Sequence, residues 1–305
     1  MTITPVQLAG QRIVITGATG FVAQPIVAAL AAENEVFAVA RYANAADKDK
    51  VAATGAHALT LDIASGDMAQ LPDADYVLNL AVAKTQKWPV DMAVNAEAVG
   101  RLIKRYQNAR AFLHFSSTGV YQYAGHEPCR EDSPLGDNHR NLFETYSISK
   151  IAGEAVATFA AHSYGVPTTI ARLNVPYGPF PCWPYFHLMM MQNGMAIDIH
   201  PDGPNAYNPI HSSDYIEKIP HLLAAAVPEV TTVNLAGSEP VSIEQWCGFM
   251  GELTGLTPVF NRTEKALGNL TADTAKMESI AGATKVHWQE GMRQMLQVMV
   301  PDALK

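Results

Sequence analysis

The sequence predicts an α/β fold: a doubly wound parallel sheet with a smaller, interleaved C-terminal α/β part. Three observations predict it. A β-branched run at residues 13–15 passes through a glycine turn, Gly17-x-x-Gly20, into an apolar pattern of helical spacing that ends at Leu30. Strand-like and helix-like segments then alternate as in successive strand–helix–strand units. After Pro179 the chain turns rich in Pro, aromatics and Met, yet strand-like segments return at residues 210–214 and 231–235.

Each element follows from its pattern. Ile13, Val14 and Ile15 suit a strand buried on both faces. Phe21, Val22, Ile26, Val27 and Leu30 have helix-like spacing, so a helix is expected from Phe21 onward. Further strands are expected at residues 35–40, 56–61, 76–81, 111–115 and 168–173, with helices at 92–109 and 143–163. Terminal helices are expected at 241–256 and 286–300. There is no internal repeat and no low-complexity linker. The division is therefore 1–174 with 209–236 for the sheet domain, and 175–208 with 237–305 for a substrate-binding part.

Composition narrows the class. The 305 residues suffice for a large core, and 48% hydrophobic with 16% charged residues indicates a globular chain. A net charge of −8 without a basic run argues against nucleic acid as a partner. No apolar stretch approaches the ~20 residues of a membrane span, and the N-terminus lacks a signal-peptide pattern. A cytoplasmic protein is expected. Cys129, Cys182 and Cys247 are widely spaced, which argues against a disulfide framework and a metal site. Two glycosylation sequons, at Asn261 and Asn269, are read as accidental.

A strand, a glycine turn and a helix N-terminus together offer backbone N–H groups and the helix dipole to a diphosphate. Gly17, Thr19, Gly20, Phe21 and Val22 are the candidate phosphate-binding residues. The second strand ends in Arg41, where an acid would bond an adenosine ribose and an arginine suits a 2′-phosphate. NADP(H) is therefore the preferred cofactor, with NAD(H) left open. Among 11 tyrosines only Tyr146 has a lysine four residues on, Lys150. On a helix such residues share a face. A free tyrosine with a pKa near ~10 is a poor acid or base at neutral pH, and a neighbouring ammonium lowers that value. Ser117, at the end of the fifth strand, can hydrogen-bond a carbonyl oxygen while Tyr146 moves the proton.

The chain resembles the extended short-chain dehydrogenase/reductase family, the NAD-dependent epimerase/dehydratase group with a Rossmann-type sheet. The resemblance rests on Thr16-Gly17-Ala18-Thr19-Gly20-Phe21-Val22-Ala23, on Ser116-Ser117-Thr118-Gly119-Val120-Tyr121, on Tyr146-Ser-Ile-Ser-Lys150, on Arg172 with Tyr177-Gly178-Pro179, and on Ile210-His211-Ser212-Ser213-Asp214. It implies that Tyr146 gives or takes the proton, that Lys150 binds the nicotinamide ribose, and that Ser117 holds the substrate oxygen. It also implies that Asn95 supports Lys150, that Asp62 and Ile63 flank the adenine, and that Leu80, Ala81, Val82 and Ala83 line the ribose side. Pro176 completes the expected cofactor set. Pairing of two copies through the Tyr/Lys helix is compatible with the small residues along 151–161.

Departures from the family pattern narrow the reaction. Thr118-Gly119 stands where the 4,6-dehydratase branch has Asp-Glu, so that acid and base are missing. Val175 stands where sugar-nucleotide branches often have Asn, and Tyr207 where they often have Arg. Thr118, Lys84, Tyr177, Phe180, Trp183 and Tyr207 are the candidate substrate contacts beside Ser117. Phe180, Trp183, Tyr185, Phe186 and Met189 to Met191 suggest an apolar pocket. The expectation is thus an NADP(H)-dependent oxidoreductase that interconverts a carbonyl and an alcohol on an apolar or aromatic small molecule. The alternatives are an epimerase of a sugar or sugar nucleotide, and a non-catalytic cofactor sensor.

Overall fold

In the computed structural model, which describes residues 3–304, seven parallel strands form the central sheet. They are β1 (Arg12–Thr16), β2 (Glu35–Ala40), β3 (His57–Thr60), β4 (Tyr76–Asn79), β5 (Ala111–Ser117), β6 (Thr168–Leu173) and, after four short strands, β11 (Thr231–Leu235). The spatial order is β11-β6-β5-β4-β1-β2-β3, so the winding reverses between β1 and β4. Ligands of such sheets collect at that reversal, beyond the carboxyl ends of the strands.

Alternation along the strands builds two cores. Ile13 and Ile15 of β1 face one side, where they meet Ile26 and Val27 of α1 (Ala23–Ala31). Val14 faces the other side and packs with Val99, Leu102 and Ala157. Those residues belong to α4 (Ala98–Arg105) and α5 (Tyr146–Tyr164); between β2 and β3 runs α2 (Ala45–Ala52). A third, smaller core gathers Tyr121, Tyr177, Tyr207, Trp246, Met250, Met292 and Met295.

Several expected boundaries move for physical reasons. Helix α1 begins at Ala23, because Gly20 is still in the turn; Phe21 lies outside the helix and is 49% exposed. The helix expected at 92–109 is three pieces: α3 (Trp88–Met92), a π-helical turn (Ala93–Glu97) and α4. The wide turn accommodates a close approach, since a Cβ at Gly153 of α5 would overlap the Asn95 carbonyl oxygen. Helix α5 starts at Tyr146 itself, so Phe143 precedes it. Residues 210–214 do not rejoin the sheet. Instead β10 (Ile210–His211) pairs with β7 (Pro176–Tyr177), and Asp214 lies in α7 (Ser212–Ala224).

The Met-rich stretch folds into α6 (Trp183–Gln192), followed by β8 (Ile197–Ile199) and β9 (Ala206–Tyr207). Next come β12 (Val241–Ser242), which pairs with β9, and α8 (Ile243–Thr254) behind a Ser242/Gln245 capping box. Strand β13 (Phe260–Arg262) pairs with β8, and α9 (Ala275–Ala281) and α10 (Trp288–Met299) complete the chain's main elements. Met277 and Ile280 of α9 pack in the sheet-side core with α7, not in the small core where the 237–305 division placed them. Among the described residues no helix is long and apolar enough to cross a membrane, and no His/Cys/Asp/Glu group could hold a metal ion.

Candidate active site

The crevice at the sheet reversal is shaped by a missing side chain. Gly17 leaves β1 at φ +70°, and a Cβ there would lie 2.6 Å from the Ala81 Cα. Only glycine permits both the left-handed turn and that approach. The ends of β1 and β4 are tied by Thr16 Oγ1, which donates to Asn79 Oδ1 at 2.5 Å. The turn closes through the Gly20 N–H, which donates to the Gly17 carbonyl at 2.9 Å. No side chain caps the N-terminus of α1, so its dipole is left for an anion. The Gly17 turn thus lies directly against the backbone of Leu80 and Ala81 at the end of β4.

Arg41 follows β2 and is exposed. Asp62 caps its own turn, accepting from the Ala64 N–H at 2.9 Å. Ile63 is buried in the α4/α5-side core.

The Tyr/Lys/Ser arrangement assembles as its spacing implied. Tyr146 opens α5 and Lys150 lies one turn along, with its Nζ donating to the Phe115 carbonyl at 2.8 Å. Ser117 ends β5 and hydrogen-bonds Tyr146. Its hydroxyl oxygen also accepts from the Gly119 N–H at 3.0 Å. Burial by itself would raise the Tyr146 phenol. The positive charges of Lys84 and Lys150 and the Ser117 hydrogen bond outweigh it, and the phenol falls below its ordinary value. Burial lowers the Lys150 ammonium, which the charges of Tyr146 and Glu154 partly restore.

Asn95 anchors the loop after β4 through its side chain. Its side chain grips Ala83 twice, accepting from the N–H and donating to the carbonyl, each at 2.8 Å. It also donates to Ser149 Oγ at 2.9 Å. Asn95 therefore fixes the loop after β4 against α5; the Lys150 amine bonds Phe115.

Four arrangements were not anticipated, although Lys84 was expected as a substrate contact and Arg172 as part of a family motif. Lys84 Nζ lies over the Tyr146 ring, 4.4 Å from its centroid, and 5.3 Å from that of Phe143. Asp91 is fully buried and accepts from Thr145, Thr85 and Gln86. His139 packs edge-on to Tyr146, with ring centroids 5.4 Å apart. Its imidazole fills the space beside Gly119, where a Cβ would come within 2.5 Å of it. Burial, with help from Lys84, holds the His139 pKa down at about 4, so the ring is neutral, and its Nδ1 has no partner among the described residues. Behind Ser116 and Ser117, Glu154 and Arg172 form a buried ion pair.

Most of the aromatic residues expected to line an apolar pocket pack on the small core. Tyr207 is 3% exposed and donates its hydroxyl to the Gly268 carbonyl at 2.6 Å. Trp183 packs edge-on to Tyr207, with centroids 4.8 Å apart, and against Trp246. Tyr177 is buried against His211, and Phe180 packs onto the same small core. These aromatics fill the core because their rings satisfy one another, which composition cannot separate from lining a cavity. Thr118 is also buried, with only a long contact, 3.5 Å, to the Leu173 carbonyl. Val175 keeps a left-handed φ of +33°, which asparagine or glycine adopts more readily than a β-branched residue. A recess of about 150 Å³ beside the His139 segment is instead polar, lined by Tyr123, Asn138, Asn141, His200 and Lys265 among others.

The chain's similarities agree with this geometry. A family model described as the NAD dependent epimerase/dehydratase family matches residues 13–236. A trifunctional UDP-glucose 4,6-dehydratase/UDP-4-keto-6-deoxy-D-glucose 3,5-epimerase/UDP-4-keto-L-rhamnose-reductase of Arabidopsis thaliana is 27% identical over 203 residues, which is 62% of this chain and 29% of that protein. An uncharacterized UDP-glucose epimerase of Bacillus subtilis is 23% identical over 197 residues, 62% of this chain and 60% of its own length. The matches thus span less than two thirds of these relatives. Among solved structures, a UDP-glucuronic acid 4-epimerase mutant from Bacillus cereus, complexed with a fluorinated UDP-sugar and NAD, superposes with a TM-score of 0.80 at 19% identity, covering 94% of this chain and 98% of that one. A UDP-N-acetylglucosamine 4-epimerase from Methanobrevibacter ruminantium M1 gives 0.82 at 18%, covering 96% and 99%. At these identities the structures share the fold.

Proposed function

The chain belongs to the NAD dependent epimerase/dehydratase family, and from that premise we propose an epimerase of a nucleotide-linked sugar working through Ser117, Tyr146 and Lys150. The observation that carries the reading is Tyr146, with Lys84 Nζ 4.4 Å from its ring centroid, Lys150 one helical turn along α5 and Ser117 beside it, a set of groups that lowers the phenol. When bound, a nicotinamide dinucleotide supplies the capacity to take a hydride and return it. The residues do the rest. Tyr146, as phenolate, accepts the proton of a substrate hydroxyl and later gives it back. Ser117 hydrogen-bonds the same oxygen and orients it. Lys150 and Lys84 favour the charged phenol between those events. Because the hydride returns, no cofactor is consumed in net terms.

The UDP-sugar ligands of the structural neighbours support a sugar nucleotide over the apolar substrate first expected. That expectation is weakened, since Tyr207 and Met191 are core and Phe180, Trp183 and Tyr185 pack against the same core. A second reading, a carbonyl reductase of a different small molecule, is favoured by Val175 and Tyr207 standing where sugar-nucleotide enzymes often carry Asn and Arg. The exposed Arg41 supports NADP(H), whereas the neighbours are complexed with NAD; competitive binding of the two cofactors separates these. Phe159, on α5 and 71% exposed, supports the homodimer, which sedimentation tests.

The test is product analysis. The protein is incubated with NAD or NADP and with UDP-glucose, UDP-glucuronic acid or UDP-N-acetylglucosamine, and the sugars are read by NMR. The expected result is a new epimer with no net reduced cofactor. Stoichiometric appearance or loss of reduced cofactor would replace the epimerase by the reductase.

A further inference from the structure

We propose that Lys84 is a second ammonium acting directly on the proton-transfer tyrosine, and that Asp91 is the positioning residue that holds it there. The inference rests on the reading of Tyr146 given above. Lys84 was expected only as a substrate contact. Its Nζ lies over the Tyr146 ring at 4.4 Å, closer than to Phe143 at 5.3 Å. A cation over an aromatic face is attracted by the ring, and it favours the phenolate more than the phenol.

The placement is built rather than incidental. The loop after β4 is fastened on both sides of Lys84. On one side Asn95 grips the Ala83 backbone. On the other, Asp91 accepts from the Thr85 hydroxyl at 2.7 Å and from the Thr85 and Gln86 N–H groups at 3.1 Å. Gln86 stands at φ +60°, a left-handed conformation maintained by that hydrogen bond. The same carboxylate accepts from Thr145 Oγ1 at 2.5 Å, one residue before Tyr146. One buried acid thus joins the Lys84 loop to the start of α5. Burial would raise the Asp91 carboxyl, but these hydrogen bonds outweigh it and lower it, so it stays ionised as their acceptor.

Lys84 comes from the loop after β4, Ser117 from the end of β5, and neutral His139 with Phe143 from the segment before α5. Lys150 comes from α5, with Glu154 behind it. Lys84 and Lys150 are the positive charges among them. Lys84 is exposed, so its replacement spares the core.

The experiment titrates the tyrosinate absorbance of the protein without cofactor. Subtracting the Tyr146→Phe curve isolates Tyr146. In Lys84→Met and in Asp91→Asn, Tyr146 is expected to ionise at higher pH, whereas Lys84→Arg keeps it near the wild-type position. In steady-state assays Lys84→Met moves the acid limb of kcat to higher pH. Superimposable titrations of wild type and Lys84→Met would overturn the proposal. So would a rise in KM with an unmoved kcat profile, which makes Lys84 a substrate contact alone. Undiminished turnover in Tyr146→Phe would instead overturn the functional reading, while the titration still decides whether Lys84 acts on Tyr146.

Discussion

Glu154→Gln probes the buried ion pair behind the strand-end serines. Glu154 receives Arg172 Nη2 at 2.7 Å and Arg172 Nε at 3.0 Å, and accepts the Ser116 hydroxyl at 2.5 Å. The two side chains are 6% and 8% exposed. Arg172 also donates to the Glu131 carbonyl at 2.9 Å and lies over the Tyr121 ring at 4.8 Å. Glutamine keeps the volume but leaves the guanidinium without a countercharge. Removing one partner of such a pair costs about 3–5 kcal/mol. With a urea m value of about 3 kcal/mol per M, the unfolding midpoint falls by about 1–1.7 M. Arg172→Met strands the carboxylate and costs a similar amount, whereas Glu154→Met/Arg172→Met together recovers most of the loss. Because Ser116 precedes Ser117, turnover falls with Glu154→Gln as well. Urea unfolding of wild type, Glu154→Met, Arg172→Met and the double variant closes the cycle. Single variants costing under about 1 kcal/mol, as an exposed pair does, would refute the reasoning. So would a double variant as unstable as the sum of the singles.

Gly17→Ala puts a Cβ 2.6 Å from the Ala81 Cα at φ +70°, so cofactor binding by fluorescence titration is lost; retained binding contradicts the tight-turn account. Gly119→Ala drives a Cβ to 2.5 Å from the His139 ring, an overpacking cost of about 1–3 kcal/mol, and adding His139→Ala restores the melting temperature. An unchanged melting temperature in Gly119→Ala would show that the imidazole does not occupy that space. His139 and His187 are held at about 4, chiefly by burial, so the folded state binds fewer protons than the unfolded chain below pH 6.5. Their contribution is full above about 6.5 and is lost as pH falls toward 4, by about 3 kcal/mol each. Urea midpoints from pH 7 to 4 read this directly, and a flat profile contradicts it.

What the sequence disclosed follows from the range of its signals. Strands β2 and β6 and the Tyr146/Lys150 pair were legible because period-2 runs and i,i+4 spacing are local. The glycine turn was legible from its place between a β-branched run and an apolar helix. The π-helical turn at Asn95 was not, since its cause is Gly153, far along the chain. Lys84 and His139 meet Tyr146 from separate loops and Asp91 reaches Thr145 from α3, so no spacing marks these contacts. One signal was present: Asp91 is a lone carboxylate in the otherwise apolar residues 88–94. The aromatic and methionine residues after Pro179 were legible as a cluster but not as packing on the small core, because core and cavity lining share a composition.

The most direct test of the central claim compares Tyr146→Phe with the wild type on the sugar-nucleotide panel, with cofactor affinity measured on the same samples. The account predicts that epimer formation falls by at least about 100-fold, the usual contribution of a positioned proton-transfer group, while cofactor binding is retained. Wild-type turnover in Tyr146→Phe would contradict it and move the proton chemistry away from α5.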